Sequence, residues 1–164
     1  MNPLTATHPA PDWLRELATA RTRYEELLGW PVCMDVLSQC VAVPVGTVLD
    51  TVTMPAILAQ KVRVELGFTM PAGPVAADPD GDWWTFLTEP ATAARHDIPA
   101  ELRELEVHTA RHGAHVVIPT RLDGTDDRGW RWVELPHPHQ SLPPWSAVLG
   151  ATHRIAAGLV SAGR

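Results

Sequence analysis

LEVHTARHGAHVVIPT, residues 105–120, holds two short runs of alternating or β-branched residues, LEVHTA and AHVVIP, on either side of the turn-forming RHG. The pattern predicts a β-hairpin. Downstream, the polar loop LDGTDD leads into RGWRWVEL (128–135), a further strand. Upstream, PAELREL (99–105) reads as a short helical or extended piece. Before it, PVAA, the DPDGD turn and WWTFLT (74–88) read as a hairpin with a loop longer than two residues. Strands therefore come in clusters, which places the chain in the α+β class and not among strictly alternating βαβ folds.

Three main helices flank these clusters. Asp12 reads as an N-cap, and Trp13, Leu14, Leu17, Tyr24, Leu27 and Leu28 recur at helical spacing until Gly29 and Pro31. VCMDV, CVAVPV and GTVLDTV then predict two or three strands between residues 32 and 52, with Pro44 at an end or an edge. Thr53 reads as the cap of a second helix with Pro55 in its first turn and Ile57, Leu58, Val62 and Leu66 on its apolar side. After the proline-rich PHPHQSLPP, the spacing of Trp145, Val148, Leu149, Thr152, Ile155, Ala156 and Leu159 predicts a C-terminal helix. Residues 1–11, with Pro3, Pro9 and Pro11, are expected to form a flexible arm ahead of a single domain over 12–160.

A chain of 164 residues, 45% hydrophobic and 20% charged, has the composition of a domain that folds alone. Its net charge of −6 sets the field of the whole molecule against phosphate backbones, so nucleic-acid binding would require a local basic groove. The arginines form no run, and Lys61 is the single lysine. No stretch reaches the 18 or so uninterrupted apolar residues of a membrane span, so no membrane role is expected. The start MNPLTATHPAPDW lacks the charged and apolar regions of a signal peptide, which predicts a cytoplasmic protein whose Cys33 and Cys40 remain free thiols. Arginine-rich, lysine-poor and alanine-rich usage points to a high-GC, actinobacterial-type source.

Few residues spell out a chemistry. His108, His112 and His115 would share one face of a helix and suit zinc, but Gly113 and the VVI run place His108 and His115 on strands and His112 in the turn, scattering the imidazoles. His137 and His139 sit in an extended proline-rich connector. Asp78, Asp80 and Asp82 lack the spacing and terminal glutamate of a calcium loop and read as turn chemistry around Pro79 and Gly81. Neighbouring Trp83 and Trp84 should point to opposite faces of their strand, one into the core and one to a surface or groove. G-x-S-x-G, Walker-type and H-E-x-x-H motifs are absent.

Read in order, GWPV (29–32), VLDTV (48–52), GPVA (73–76), DGDWWTF (80–86), LEVHTARHGAHVVIPT (105–120) and WRWVELP (130–136), with helices between them, form a pattern similar to the bifunctional DNA primase/polymerase (prim-pol) family of the archaeo-eukaryotic primase superfamily. The resemblance runs from about Tyr24 to the last helix. It implies a strand ending in an LDVD-like acidic pair, a hairpin strand carrying a histidine, and a third strand supplying another acid. Two carboxylates at i and i+2 on a strand share one face about 6–7 Å apart and can jointly hold divalent metal for phosphoryl transfer. Here Asp50 stands at the first acidic position and Val52, which cannot coordinate metal, at the second; Glu106 stands at the third acid and Trp83 at the histidine. Asp50 and Glu106 also have ordinary readings, as a strand-end acid and a solvent-facing residue.

The resemblance thus implies a degenerate, short prim-pol-like domain without polymerase activity, kept as a binding or regulatory module. A protein partner or self-association is the expected target, and no cofactor is expected. The alternative is a reduced nucleotidyltransferase, binding nucleotide or nucleic acid, with Asp50 and Glu106 on one magnesium or manganese ion in an arginine-lined groove.

Overall fold

The computed structural model describes residues 9–91 and 97–163. The elements in chain order are α1 (Asp12–Leu28), β1 (Cys33–Asp35), β2 (Cys40–Pro44), β3 (Asp50–Pro55), α2 (Ala56–Gly67), β4 (Val75–Ala77), β5 (Trp83–Thr88), α3 (Ala100–Glu104), β6 (His115–Ile118), β7 (Arg131–Glu134) and α4 (Trp145–Ala162). They build an α+β fold with two antiparallel sheets, one ordered β1-β2-β6 and the other β3-β5-β4-β7. Strands β3 and β4 are both antiparallel to β5, which lies between them, so β3-α2-β4 is a split β-α-β unit.

The period-two alternation of the larger sheet separates two cores. Val52 and Met54 of β3, Trp84 and Phe86 of β5 and Val75 and Ala77 of β4 pack beneath α2, α3 and α4 with Leu58, Val62, Leu66, Leu102 and Val148. Ala76, Leu87 and Trp132 face the other way, toward α1 and the smaller sheet, where Leu17, Tyr24, Trp30, Val41, Val43 and Ile118 close the second core. The larger sheet is therefore a wall covered on both sides. Its central strands read as apolar runs for that reason.

Four local expectations are corrected. LEVHTA forms no strand and makes no hairpin with AHVVIP. Of that run, His108 alone exchanges backbone bonds with Thr53, at 2.8 and 2.9 Å on the β3 edge. Strand β6 instead pairs with β2 in the other sheet, because Val45 and the 113–114 turn trade backbone bonds and extend that ladder. Thr53 does not cap α2: β3 stays paired with β5 through Pro55, the Thr53 hydroxyl bonds that of Thr85 at 2.9 Å, and Pro55 becomes the cap residue. Asp12 lies inside α1, whose first turn closes on the Pro11 carbonyl. Ile57, placed on the apolar side of α2, is 78% exposed.

Cys33 is exposed and Cys40 buried, and both are free. In the β1–β2 register Cys33 faces Ala42 and Cys40 faces Asp35, so the thiols are offset along the ladder and not opposed. Burial, and secondarily Asp35, pushes the Cys40 thiol above its ordinary pKa. Among the described residues no helix is long and apolar enough to cross a membrane.

Tyr24 joins the layers. Its hydroxyl donates to the Pro119 carbonyl at 2.6 Å and accepts from the Trp132 indole at 2.9 Å, and its ring stacks on Trp30 with centroids 5.9 Å apart. Tyr24→Phe leaves two buried groups without a partner, which costs about 2–4 kcal/mol. Thermal unfolding should show a melting temperature lower by roughly 5–15 °C. Burial also raises the Tyr24 pKa above the usual phenol range. Above about pH 10 the unfolded chain loses this proton while the folded chain keeps it, so stability declines as pH climbs. Tyr24 is the chain's single tyrosine. Its phenolate absorbance should therefore rise only together with alkaline unfolding.

Candidate functional site

Asp50 opens β3 on the same side as Val52 and Met54, the side covered by helices. It is 2% exposed, and its carboxylate accepts the backbone N–H of Thr51 at 3.1 Å and of Ala91 at 3.3 Å. The carboxylate thus ties the segment after β5 to the start of β3. The β3 positions on the opposite side, toward the smaller sheet, are Thr51 and Thr53.

Glu106 lies elsewhere and serves a different purpose. Its N–H bonds the Arg103 carbonyl at 2.9 Å, and the N–H of Val107 bonds the Leu102 carbonyl at 3.0 Å. This is the double closure of a helix C-terminus whose following residue turns left-handed, and Glu106 has φ of 61°. Leu102 and Val107, both buried, supply the accompanying apolar contact. Glu106 therefore stops α3 and aims its exposed side chain into solvent.

Trp83 begins β5 opposite Pro55, the last residue of β3. Pro55 is five residue steps along the strand from Asp50, a rise of roughly 16 Å. Trp83 and the Glu106 turn stand near one another at the Pro55 end: His108 packs a tilted ring on Trp83 with centroids 5.7 Å apart, and its Nδ1 lies 3.3 Å from the Glu106 carbonyl oxygen. Asp50 is at the far end of the strand. The structure thus places Asp50 and Glu106 at opposite ends of β3. Trp83 is half-buried and Trp84 buried, on opposite faces.

Among the described residues no group of three His, Cys, Asp or Glu could hold a metal ion. His108 lies on Trp83, His112 packs against Gly46, and His115 pairs with Pro44 at the start of β6. The 78–82 acids are turn residues: Asp78 accepts the N–H of Trp83 through its side chain and that of Gly81 through its carbonyl, both at 3.0 Å.

A cleft of about 570 Å³ lies between α1 and the 120–128 loop and was not legible in the sequence. It gathers Arg15, Arg23, Arg121 and Arg128, which the chain holds far apart. Asp12, Glu16, Asp123, Asp126 and Asp127 line it as well. Arg15 pairs with Asp12, Arg121 with Asp127 at 3.5 Å, and Arg128 bonds Gln39 at 2.7 Å. Asp126 is buried and accepts the N–H groups of Thr120, Arg128 and Trp130 at 2.9–3.0 Å, which builds the loop. Matched charges leave this cleft without the positive field that phosphate binding draws on.

The surface bears an apolar face that the tryptophan count does not explain, since none of the seven tryptophans is fully exposed. Ile57, Val64 and Phe68 of the α2 segment are 78%, 56% and 81% exposed. Beside Ile57, a shallow groove of about 310 Å³ is lined by Leu105 and Leu159, with Lys61, Glu104 and Glu106 at its margin. No family model matches the chain, and no curated protein or solved structure matches it either.

Replacing the two carboxylates separates a structural from a ligating role. Asp50→Ala orphans buried N–H groups and should cost about 2 kcal/mol or more. Glu106→Gly relieves a left-handed conformation and should add about 1 kcal/mol. Opposite shifts in chemical-denaturation midpoint are expected; a loss with Glu106→Gly would contradict its assignment, and an unchanged midpoint with Asp50→Ala would contradict the other.

Proposed function

We propose that this domain is a degenerate prim-pol-like fold that no longer copies nucleic acid and works as a binding or regulatory module through protein contacts. The ancestry is supported by the sheet order. Strands β3 and β5, which carry VLDTV and DGDWWTF, are direct neighbours in one sheet, and His108 of LEVHTA makes a single bridge to Thr53 on the free edge of β3.

The observation that carries the loss of chemistry is the placement of Asp50. Metal-assisted phosphoryl transfer needs carboxylates that converge on one point open to substrate. The Asp50 carboxylate is committed to backbone N–H groups on the helix side of the sheet, its i+2 neighbour on that face is buried Val52, and Glu106 terminates a helix a strand-length away. Ile57, Val64 and Phe68 form an exposed apolar face, the kind of surface that marks protein contacts.

Primer extension on a templated duplex, with magnesium or manganese, tests the reading. No product above a protein-free control is expected, and titration with nucleoside triphosphate and manganese should give a flat calorimetric trace. Templated product that disappears in Asp50→Ala would overturn it in favour of the nucleotidyltransferase alternative.

A further inference from the structure

We infer that the outer face of α2 is where two copies of this chain pair, which rests on the binding-module reading and names its partner. Helix α2 is apolar on two sides. Leu58, Ala59, Val62 and Leu66 are buried against the sheet and α4, while Ile57, Val64 and Phe68 stand in solvent on the outer row together with Lys61. A helix that already buries one apolar side against the core ordinarily turns polar residues outward, so a second, exposed apolar row asks for a cover. The seam it forms with α4 is also left open at one end: the buried row Val148, Thr152 and Ala156 continues into exposed Leu159 and Val160, next to Ile57.

Three features select a second copy as the cover. The outer row Ile57, Lys61, Val64, Phe68 has spacings of four, three and four, which read the same in both directions. Laid antiparallel about a two-fold axis, as an isologous contact requires, Ile57 meets Phe68 of the partner subunit and the Lys61 stem lies along Val64 of the partner subunit. Glu65, beside the row, is held by Arg154 of its own chain at 2.8 Å, so this flanking carboxylate adds no uncompensated charge to the contact. The molecule carries a net charge of −6, and this row contains no carboxylate, so pairing along it sets no acid of one row against an acid of the other. The area is also adequate. Phe68 alone offers on the order of 150 Å², and with Ile57, Val64, Leu105 and Leu159 beside it the face supplies much of the roughly 800 Å² per partner of a standard interface.

Light scattering during gel filtration of the whole chain, over a hundredfold range of loading, tests this. The wild type should approach twice its 17.9 kDa mass at high loading. Ile57→Glu and Phe68→Glu should each hold it at the single-copy mass with unchanged circular dichroism, since both side chains stand outside the core. Leu37→Glu, at the 97% exposed tip of the β1–β2 hairpin, should leave the dimer intact. Chains carrying Ile57→Cys mixed with chains carrying Phe68→Cys, both in a Cys33→Ser background, should give a mixed disulfide-linked pair on mild oxidation. A wild type that stays single at every loading overturns the inference, as does a dimer that survives Phe68→Glu or breaks with Leu37→Glu. Those results are independent of primer extension: a dimer that synthesises template copies would sink the functional reading and leave the interface standing.

Discussion

The fold depends on one hydroxyl in the second core. Tyr24 belongs to α1, Pro119 follows β6 of the smaller sheet, and Trp132 belongs to β7 of the larger one, so the two bonds of the Tyr24 oxygen connect three separately built layers. A core of aliphatic side chains fixes distance between layers but leaves them free to slide; a donor and an acceptor at fixed angles remove that freedom. The flat stack on Trp30 and the tilted packing of both rings against Trp132 fill the remaining volume. Burial keeps the phenol protonated into the alkaline range, so the same oxygen still donates and accepts where an exposed tyrosine would ionise.

Local patterns along the chain were legible where local physics decides them. Gly29 ends α1 in the left-handed conformation that its lack of a Cβ permits, and the DPDGD loop closes the β4–β5 hairpin through the Asp78 side chain. The alternation in WWTFLT correctly divides Trp83 from Trp84. Partner choice was not legible. LEVHTA and AHVVIP are adjacent and turn-separated, yet the competing ladder between Val45 and Ala114 draws β6 into the other sheet, a non-local pairing that no local propensity encodes.

Glu106 shows why the candidate site was harder to read than the fold. An acid before a β-branched residue looks like a strand position, and the signal that decides otherwise is the five-residue helix behind it, whose last carbonyls need donors. Satisfying them puts Glu106 at a left-handed position usually held by glycine and turns the chain before it can pair. Asp50 met a similar fate: a carboxylate at the start of a buried strand found unbonded N–H groups nearer than any ligand. In both cases a residue type associated with metal chemistry is accounted for by backbone bookkeeping.

Helix α2 presents the complementary case, a segment whose composition was plain in AILAQKVRVELGF but whose meaning depends on its surroundings. Both faces carry branched aliphatic residues, and a two-sided core can cover only one of them, since the sheet lies beneath α2 and α4 lies at its flank. Folding of the single chain therefore leaves apolar area in water that burial would reward at about 25 cal/mol per Å². Trading these side chains for polar ones would leave the core untouched, so intramolecular packing gives no reason for them. A second copy seated there, as inferred above, would lie across the sheet from α1 and leave the interior that Tyr24 organises undisturbed.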